Sequence, residues 1–348
     1  MDMNAPALRG GLLALFAAAL FGVSTPLVQY FGKGLGALST AALLYAGAAV
    51  AGALLRRGAT REAALRRSDL PRLLAVVAFG AVIGPVALAW GLQRTSGASA
   101  SLMLTLEALF TAVLAWRLYR ETLGPRVWVA MALLLAGGAV LILDQARLGG
   151  AQLAGLLAVL VATAAWGMDN TLSRALAERD PGQVVLVKAA LGATVTAVLA
   201  LAFAEAAPTL AAAAGLLAVG ATGYGLSLRF YLLAQRAFGA ARTGSVFAFA
   251  PFIGAVLALA LGDRSVSAWM GAGGLLMLGG VLLHLMESHG HAHAHTAMDH
   301  EHAHDHADGH HTHRHEPMPQ GTHSHPHQHE PLQHAHPHVP DAHHLHHH

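Results

Sequence analysis

Ten apolar segments, each close to the length that crosses a bilayer and joined by short loops, constrain this chain more than any other feature. Spanning the hydrocarbon takes about 20 mostly apolar residues. The segments fall at 10-31, 36-55, 73-92, 97-117, 126-143, 153-173, 183-204, 210-233, 241-261 and 267-286. Every backbone N–H and C=O inside lipid must be bonded within the protein, so such runs predict α-helices. A β-barrel is excluded because the runs are continuously apolar and lack period-two alternation. Composition agrees: 11% of residues are charged and 55% hydrophobic, against about a quarter charged in soluble domains. The first apolar run continues past the short core of a signal peptide and no small-residue cleavage motif follows it, so it is expected to stay in the membrane. The absence of cysteine removes disulfides and thiolate metal sites. A net charge of +2 gives nucleic acid no basic footprint to bind.

Positive charge sets the expected orientation. Arg9, the six arginines from Arg56 to Arg72, Arg117, Arg120, Arg126, Arg174, Arg179, Arg236 and Arg242 share one side, against Lys33, Arg94, Arg147 and Arg264 on the other. Both termini are therefore expected in the cytosol, in a multi-pass protein of the cytoplasmic membrane. The chain also matches itself. Gly10 to Leu27 aligns with Gly155 to Leu172 at an offset of 145, pairing Phe21 with Trp166 and Gly22 with Gly167. Gln93 to Ala98 aligns with Gln235 to Ala240 at an offset of 142, which also pairs Glu121 with Asp263 and Gly137-Gly138 with Gly279-Gly280. Five helices per half is an odd number, so the second half is inverted relative to the first. Inverted repeats of this kind mark secondary transporters, with the substrate site at the repeat interface near mid-membrane.

These landmarks, with Leu106-Glu107-Ala108-Leu109-Phe110 and its partner Ala250-Pro251-Phe252, resemble the EamA-type transporters of the drug/metabolite transporter superfamily, over about residues 8 to 287. Two departures stand out: Ala108 lies where that family often has proline, and Asp263 where it usually has glutamate. The resemblance implies a transport role in two halves, 8-145 and 150-287. Members of the family export amino acids, metabolites and drugs, and some relatives with histidine-rich ends look like nickel or cobalt resistance proteins.

An ionisable side chain at mid-helix costs a few kcal/mol on insertion scales, so each one needs a partner or a task. Glu107 lies near the middle of the fourth segment, and Met103, four residues earlier, is expected on the same helical face. Asp169 and Asn170 lie in the sixth segment, and Lys188 in the seventh at a similar depth. One reading makes Glu107, Met103, Asp169, Asn170 and Lys188 the polar lining of a transport cavity for a cation or a proton. The other makes Lys188 a buried partner of Asp169 or Glu107 that fixes helix register. Snorkelling explains Arg229, and Gln29, Trp90 and Tyr224 are either path-lining, interface or packing residues.

All 25 histidines lie at or beyond His284, and from Ser288 to His348 the chain is a field of imidazoles. His291, His293 and His295, then His302, His304 and His306, His323, His325 and His327, and His334, His336 and His338 repeat a His-x-His spacing that lets a flexible chain wrap one ion. Neutral imidazole suits nickel, cobalt, zinc and Cu(II). A purification tag would account for His346 to His348 alone. Incidental metal binding and pH sensing remain alternatives. With no apolar core the tail, 288-348, is expected to be disordered without metal.

The expected fold is all-α integral membrane, ten helices as two inverted five-helix repeats plus a disordered histidine-rich tail. The expected function is export of divalent transition-metal ions, nickel or cobalt first and zinc next, by alternating access, with the tail collecting metal. The alternative is an exporter of amino acids, metabolites or drugs with the tail as a metal-responsive regulator. No cofactor is required beyond nickel, cobalt or zinc on the tail. The partners are the bilayer and a metal ion or small solute as substrate, with a homodimer an open alternative to a monomer. No phosphate-binding loop or nucleophile–base set supports an enzyme.

Overall fold

The computed structural model describes residues 5–55, 63–119, 123–173, 176, 179–238 and 240–285, and the backbone of four tail segments, 290–294, 298–304, 323–329 and 333–337. In the first half, α1 (Ala5–Phe31) and α2 (Ala37–Leu55) precede a third span made of α3 (Leu70–Val76), a π-helical stretch (Val77–Ile83) and α4 (Gly84–Leu92). The fourth span is divided into α5 (Gly97–Met103) and α6 (Leu106–Tyr119), and α7 (Pro125–Leu148) is the fifth. The second half repeats this order: α8 (Gly150–Ser173), α9 (Pro181–Ala202), α10 (Leu210–Val219) with a π stretch (Gly220–Leu226) and α11 (Ser227–Phe238), then α12 (Ala240–Phe247) with α13 (Ala250–Ala260), and α14 (Ala268–Leu285).

Local chemistry sets these boundaries. Proline opens α7 and α9, where the missing N–H costs nothing. Ser96 and Thr209 accept from the N–H groups of Ser99 and Ala212 and so cap α5 and α10. Gly149, at φ +136, makes the turn between the halves. Large apolar side chains on the outer surface, among them Phe16, Leu135, Leu201, Val256 and Leu275, are exposed, as lipid-facing positions are.

Among the described residues nine helical stretches are long and apolar enough to cross a membrane, and the tenth expected span, 241-261, is not one helix. It breaks at Ala248-Phe249, just before Pro251, whose ring and missing N–H disfavour a continuous ladder. The fourth span breaks at the equivalent place without a proline. Thr105 N–H donates to Leu102 O and Glu107 N–H to Leu104 O at 3.0 Å each, while Phe249 N–H donates to Val246 O at 3.2 Å and Phe252 N–H to Phe249 O at 3.1 Å. Both breaks are single turns of i→i+3 bonding, 144 residues apart. The two π stretches, seven residues each, begin at Val77 and Gly220, 143 apart. The inverted repeat is thus written into backbone irregularities as well as side chains.

Packing follows the same symmetry. The first helix of one half, α1, packs on α11 and α13; its counterpart α8 packs on α4 and α6. Helices α2 and α9 face each other across the pseudo-twofold, as do α7 and α14. In the tail, β1 (Gly290–Ala294) pairs antiparallel with β4 (Gln333–Pro337), and β2 (Met298–His304) with β3 (His323–His329). Isolated two-stranded ladders are marginal in water, so this pairing does not make a folded domain.

Candidate functional site

The polar residues of the interior meet where α8 crosses the first half. Asp169 and Lys188 are both buried, and Lys188 Nζ bonds Asp169 Oδ2 at 2.5 Å, so α8 and α9 are tied inside the second half. Ser173 Oγ donates to the other oxygen, Oδ1, at 3.3 Å. The next residue on α8, Asn170, points its amide at the first half and donates from Nδ2 to Glu107 Oε1 at 2.6 Å. Glu107 is part-exposed, and among the described residues its second oxygen, Oε2, carries no hydrogen bond. The two carboxylates therefore differ: one is sealed by a lysine, the other holds an amide and keeps an oxygen open.

Gly80, in the π stretch of the third span, shapes the sealed side. A Cβ built there would fall 2.3 Å from the Asp169 carboxylate carbon and from Oδ2, so the carboxylate occupies the space a side chain would need. Skipping from i→i+4 to i→i+5 bonding redirects carbonyls, and π turns are frequent at functional sites for that reason. Here Gly80 O accepts from the Tyr45 hydroxyl and, at 3.1 Å, from Trp166 Nε1. The mirrored contact exists in the other half, where a Cβ on Gly223 would lie 2.5 Å from Ser24 Cβ. Ser24 corresponds to Asp169 by the 145-residue offset, so the repeat places a charge on one side of the pseudo-twofold and a hydroxyl on the other.

Aromatic rings cover this layer. Phe21 and Trp166, the repeat-related pair, meet edge to face at 5.8 Å, and Tyr224 lies 5.9 Å from Phe21 and 5.7 Å from Tyr45. The Tyr224 hydroxyl, Ser101 Oγ and Thr111 Oγ1 are buried with no hydrogen-bond partner. Buried hydroxyls normally find partners, and among the described residues these three are left without one.

Of the residues singled out from sequence, Glu107, Asp169, Asn170 and Lys188 are brought together. Lys188 serves Asp169 and not Glu107. Met103 is placed differently: it ends α5, fully buried, and the break at Leu104-Thr105 separates it from Glu107 in the first turn of α6. The shared helical face expected of this pair required a continuous helix, which the i→i+3 turn interrupts. Gln29 bonds Leu92 O and Thr95 O, Arg94 stacks over Trp90 at 3.8 Å, and Arg229 reaches Leu55 O at 3.2 Å, so these are structural ties. His284 lies in the last turn of α14. Glu121, Arg120, Arg174, His295, His306, His338 and every other tail histidine outside 290–294, 298–304, 323–329 and 333–337 lie outside the described residues, and for the tail histidines within those segments the backbone alone is described. Sequence reasoning missed Gly80 and the donor roles of Tyr45 and Trp166; a glycine four residues before Gly84-Pro85 was the available signal.

Both ends of the body carry ties between the halves. At the end where α2 begins, Glu205 accepts from Leu38 and Ser39 N–H at 3.1 and 2.7 Å, Asp263 accepts from Ala98 N–H at 3.0 Å and Asp144 from Ser267 Oγ at 2.8 Å. At the other, Arg179 grips Asp69 with a 2.8 Å bond from Nε, Leu65 N–H donates to Gln183, and Asp180 N–H donates to Ala63 O.

Known proteins give this architecture a context. The profile of the EamA-like transporter family matches residues 8–143 and 153–286. An uncharacterized transporter of Methanothermobacter thermautotrophicus (strain Delta H) is 28% identical over 239 residues, covering 67% of this chain and 69% of that one. A protein of known crystal structure superposes with a TM-score of 0.60 at 20% identity, covering 79% of this chain and 94% of that one, a likeness of fold alone.

Proposed function

The chain belongs to the EamA-like transporter family, and on that premise we propose that it is a secondary transporter of the cytoplasmic membrane that exports a small organic cation in exchange for protons. Both termini lie in the cytosol on this reading, and the two five-helix halves rock about the site between them. The observation that carries it is Glu107: a carboxylate in the membrane interior, held by Asn170 on one oxygen and without a partner on the other. A lone negative charge is costly in that setting. A proton or a cationic solute relieves the cost, and the two cannot occupy Glu107 together, which is the elementary requirement for exchange. The unmet hydroxyls of Tyr224, Ser101 and Thr111 supply further polar contacts, and the ring faces of Phe21, Trp166 and Tyr224 suit a weakly hydrated organic cation.

A second reading, export of nickel or cobalt and then zinc, is favoured by the His-x-His spacing of the tail. Among the described residues no group of three or more His, Cys, Asp or Glu side chains stands close enough to hold a metal, which supports the organic cargo over this one. On the first reading the tail is a cytosolic metal-responsive regulator.

The test is flux into proteoliposomes carrying a proton gradient, with the full chain and with a version ending at residue 287, against a panel of amines, amino acids, Ni2+, Co2+ and Zn2+. Proton-driven amine flux that Glu107→Gln abolishes is the expected result. Nickel flux through the truncated body without amine flux overturns it in favour of the metal reading.

A further inference from the structure

The interior charge layer does not balance. Glu107 and Asp169 contribute two negative charges, and Lys188 one positive charge. The lysine is committed: its Nζ lies 2.5 Å from Asp169 Oδ2, and both residues are buried. Asp169 has no room for anything else, since Ser173 takes Oδ1 and the Gly80 backbone sits where any side chain at that position would collide with the carboxylate. Glu107 is one α8 residue away through Asn170, part-exposed, with Oε2 open. The repeat partner of Lys188 at the 145-residue offset is Leu43, and that of Asp169 is Ser24, so this paired charge is a property of one half and not of the repeat.

We propose that Lys188 sets the valence of the cargo: by cancelling Asp169 it leaves the site at Glu107 with one net negative charge, which selects solutes bearing a single positive charge. This rests on the cationic cargo proposed above. Charges a few ångströms apart in the protein interior couple strongly enough to change a binding constant by about tenfold or more. Removing the lysine while keeping both carboxylates brings the layer to two negative charges and turns the preference toward dications. Removing Asp169 while keeping the lysine brings it to zero, and cation binding is lost although Glu107 is intact. Removing both restores one negative charge and the original preference. Lys188 is a positioning and specificity residue on this account, acting through Asp169 and not by touching the cargo.

Permanently charged probes separate valence from protonation, and imidazole does not bind them. Tetramethylammonium carries one fixed charge and 1,4-bis(trimethylammonio)butane carries two. The full-length protein in nanodiscs is titrated with each, and the ratio of the two dissociation constants is compared among wild type, Lys188→Met, Lys188→Arg, Asp169→Asn and the double variant. The wild type and Lys188→Arg should prefer the monocation. Lys188→Met should shift the ratio about tenfold or more toward the dication, Asp169→Asn should weaken both, and the double variant should return to the wild-type ratio. If Lys188→Met does not fold, Asp169→Asn and the double variant carry the test. A lysine that only fixes helix register changes the folded fraction but leaves both dissociation constants as in the wild type, so a wild-type ratio in Lys188→Met, or wild-type dissociation constants in Asp169→Asn, overturns the proposal. Failure of both probes to bind the wild type, or binding that Glu107→Gln leaves unchanged, instead overturns the cationic cargo itself.

Discussion

Asn170 Nδ2 donates to Glu107 Oε1 at 2.6 Å, and this bond joins the first span of the second half to the broken fourth span of the first. The two residues are 63 apart in sequence and sit on opposite sides of the interface between the two halves, which opens and closes in the transport cycle proposed above. Replacing Asn170 by Leu removes the donor and leaves the Glu107 carboxylate without its bond. Hydrogen bonds to charged groups contribute about 1.5–3 kcal/mol. Asn170→Leu should therefore lower proton-coupled flux by about tenfold or more while Asn170→Gln retains part of it. Equal flux in wild type and Asn170→Leu proteoliposomes would show that the bond plays no part in transport.

Gly80 should not accept a methyl group. A Cβ there falls 2.3 Å from the Asp169 carboxylate, whereas one on Gly271 of α14 meets nothing within 4 Å. Gly80→Ala must displace the carboxylate or the π stretch, an overpacking cost of about 1–3 kcal/mol. Gly271→Ala should be neutral or stabilising by up to about 1 kcal/mol, since alanine is the better helix former. Thermal unfolding of the two variants in detergent measures this contrast, and equal melting temperatures would contradict the crowding at Gly80.

The Gly80 carbonyl has two donors, the Tyr45 hydroxyl and Trp166 Nε1. Tyr45→Phe and Trp166→Phe each leave it one partner, at a cost of about 1 kcal/mol per lost hydrogen bond, with a further packing loss for the indole. The double variant leaves a buried carbonyl unsatisfied and should cost more than the two single changes combined. A double-mutant cycle on unfolding in denaturant reads the coupling, and strict additivity would mean that the carbonyl finds another donor.

Apolar length and loop chemistry were enough to locate the spans, because a membrane leaves a backbone few alternatives. The inverted repeat was legible from Phe21-Gly22 and Trp166-Gly167, and the structure deepens it with paired π stretches and paired breaks. The division at Ala248-Phe249 could have been read from Pro251, but that at Leu104-Thr105 has no such residue, only a Thr105 hydroxyl that donates to Leu102 O at 2.7 Å. The same limit applies to charge. Spacing placed Lys188 at the depth of Asp169, yet which carboxylate it would take was open, since helix rotation within the bundle decides that. The glycine at position 80, four residues before Gly84-Pro85, was visible, but its role was not, because a π turn is a register of bonds and has no composition of its own.

The tail should be separable from the body. Its pairs of histidines repeat at two-residue spacing, and the backbone ladders place His291 opposite His336, His293 opposite His334 and His302 opposite His325. Imidazole binds metal in its neutral form, and its ordinary pKa is about 6.5, so protons compete with the ion as pH falls. The full chain should bind Ni2+ and Zn2+ at pH 7.5, measured by equilibrium dialysis, and release most of it by about pH 5.5, where most imidazoles carry a proton. A version ending at residue 287 should lose this binding and keep its melting temperature, since α14 ends at Leu285 and the tail adds no helix to the bundle among the described residues. Metal binding that persists in the truncated body would place the metal site in the body, and a body that melts earlier without its tail would show that the two parts are physically coupled.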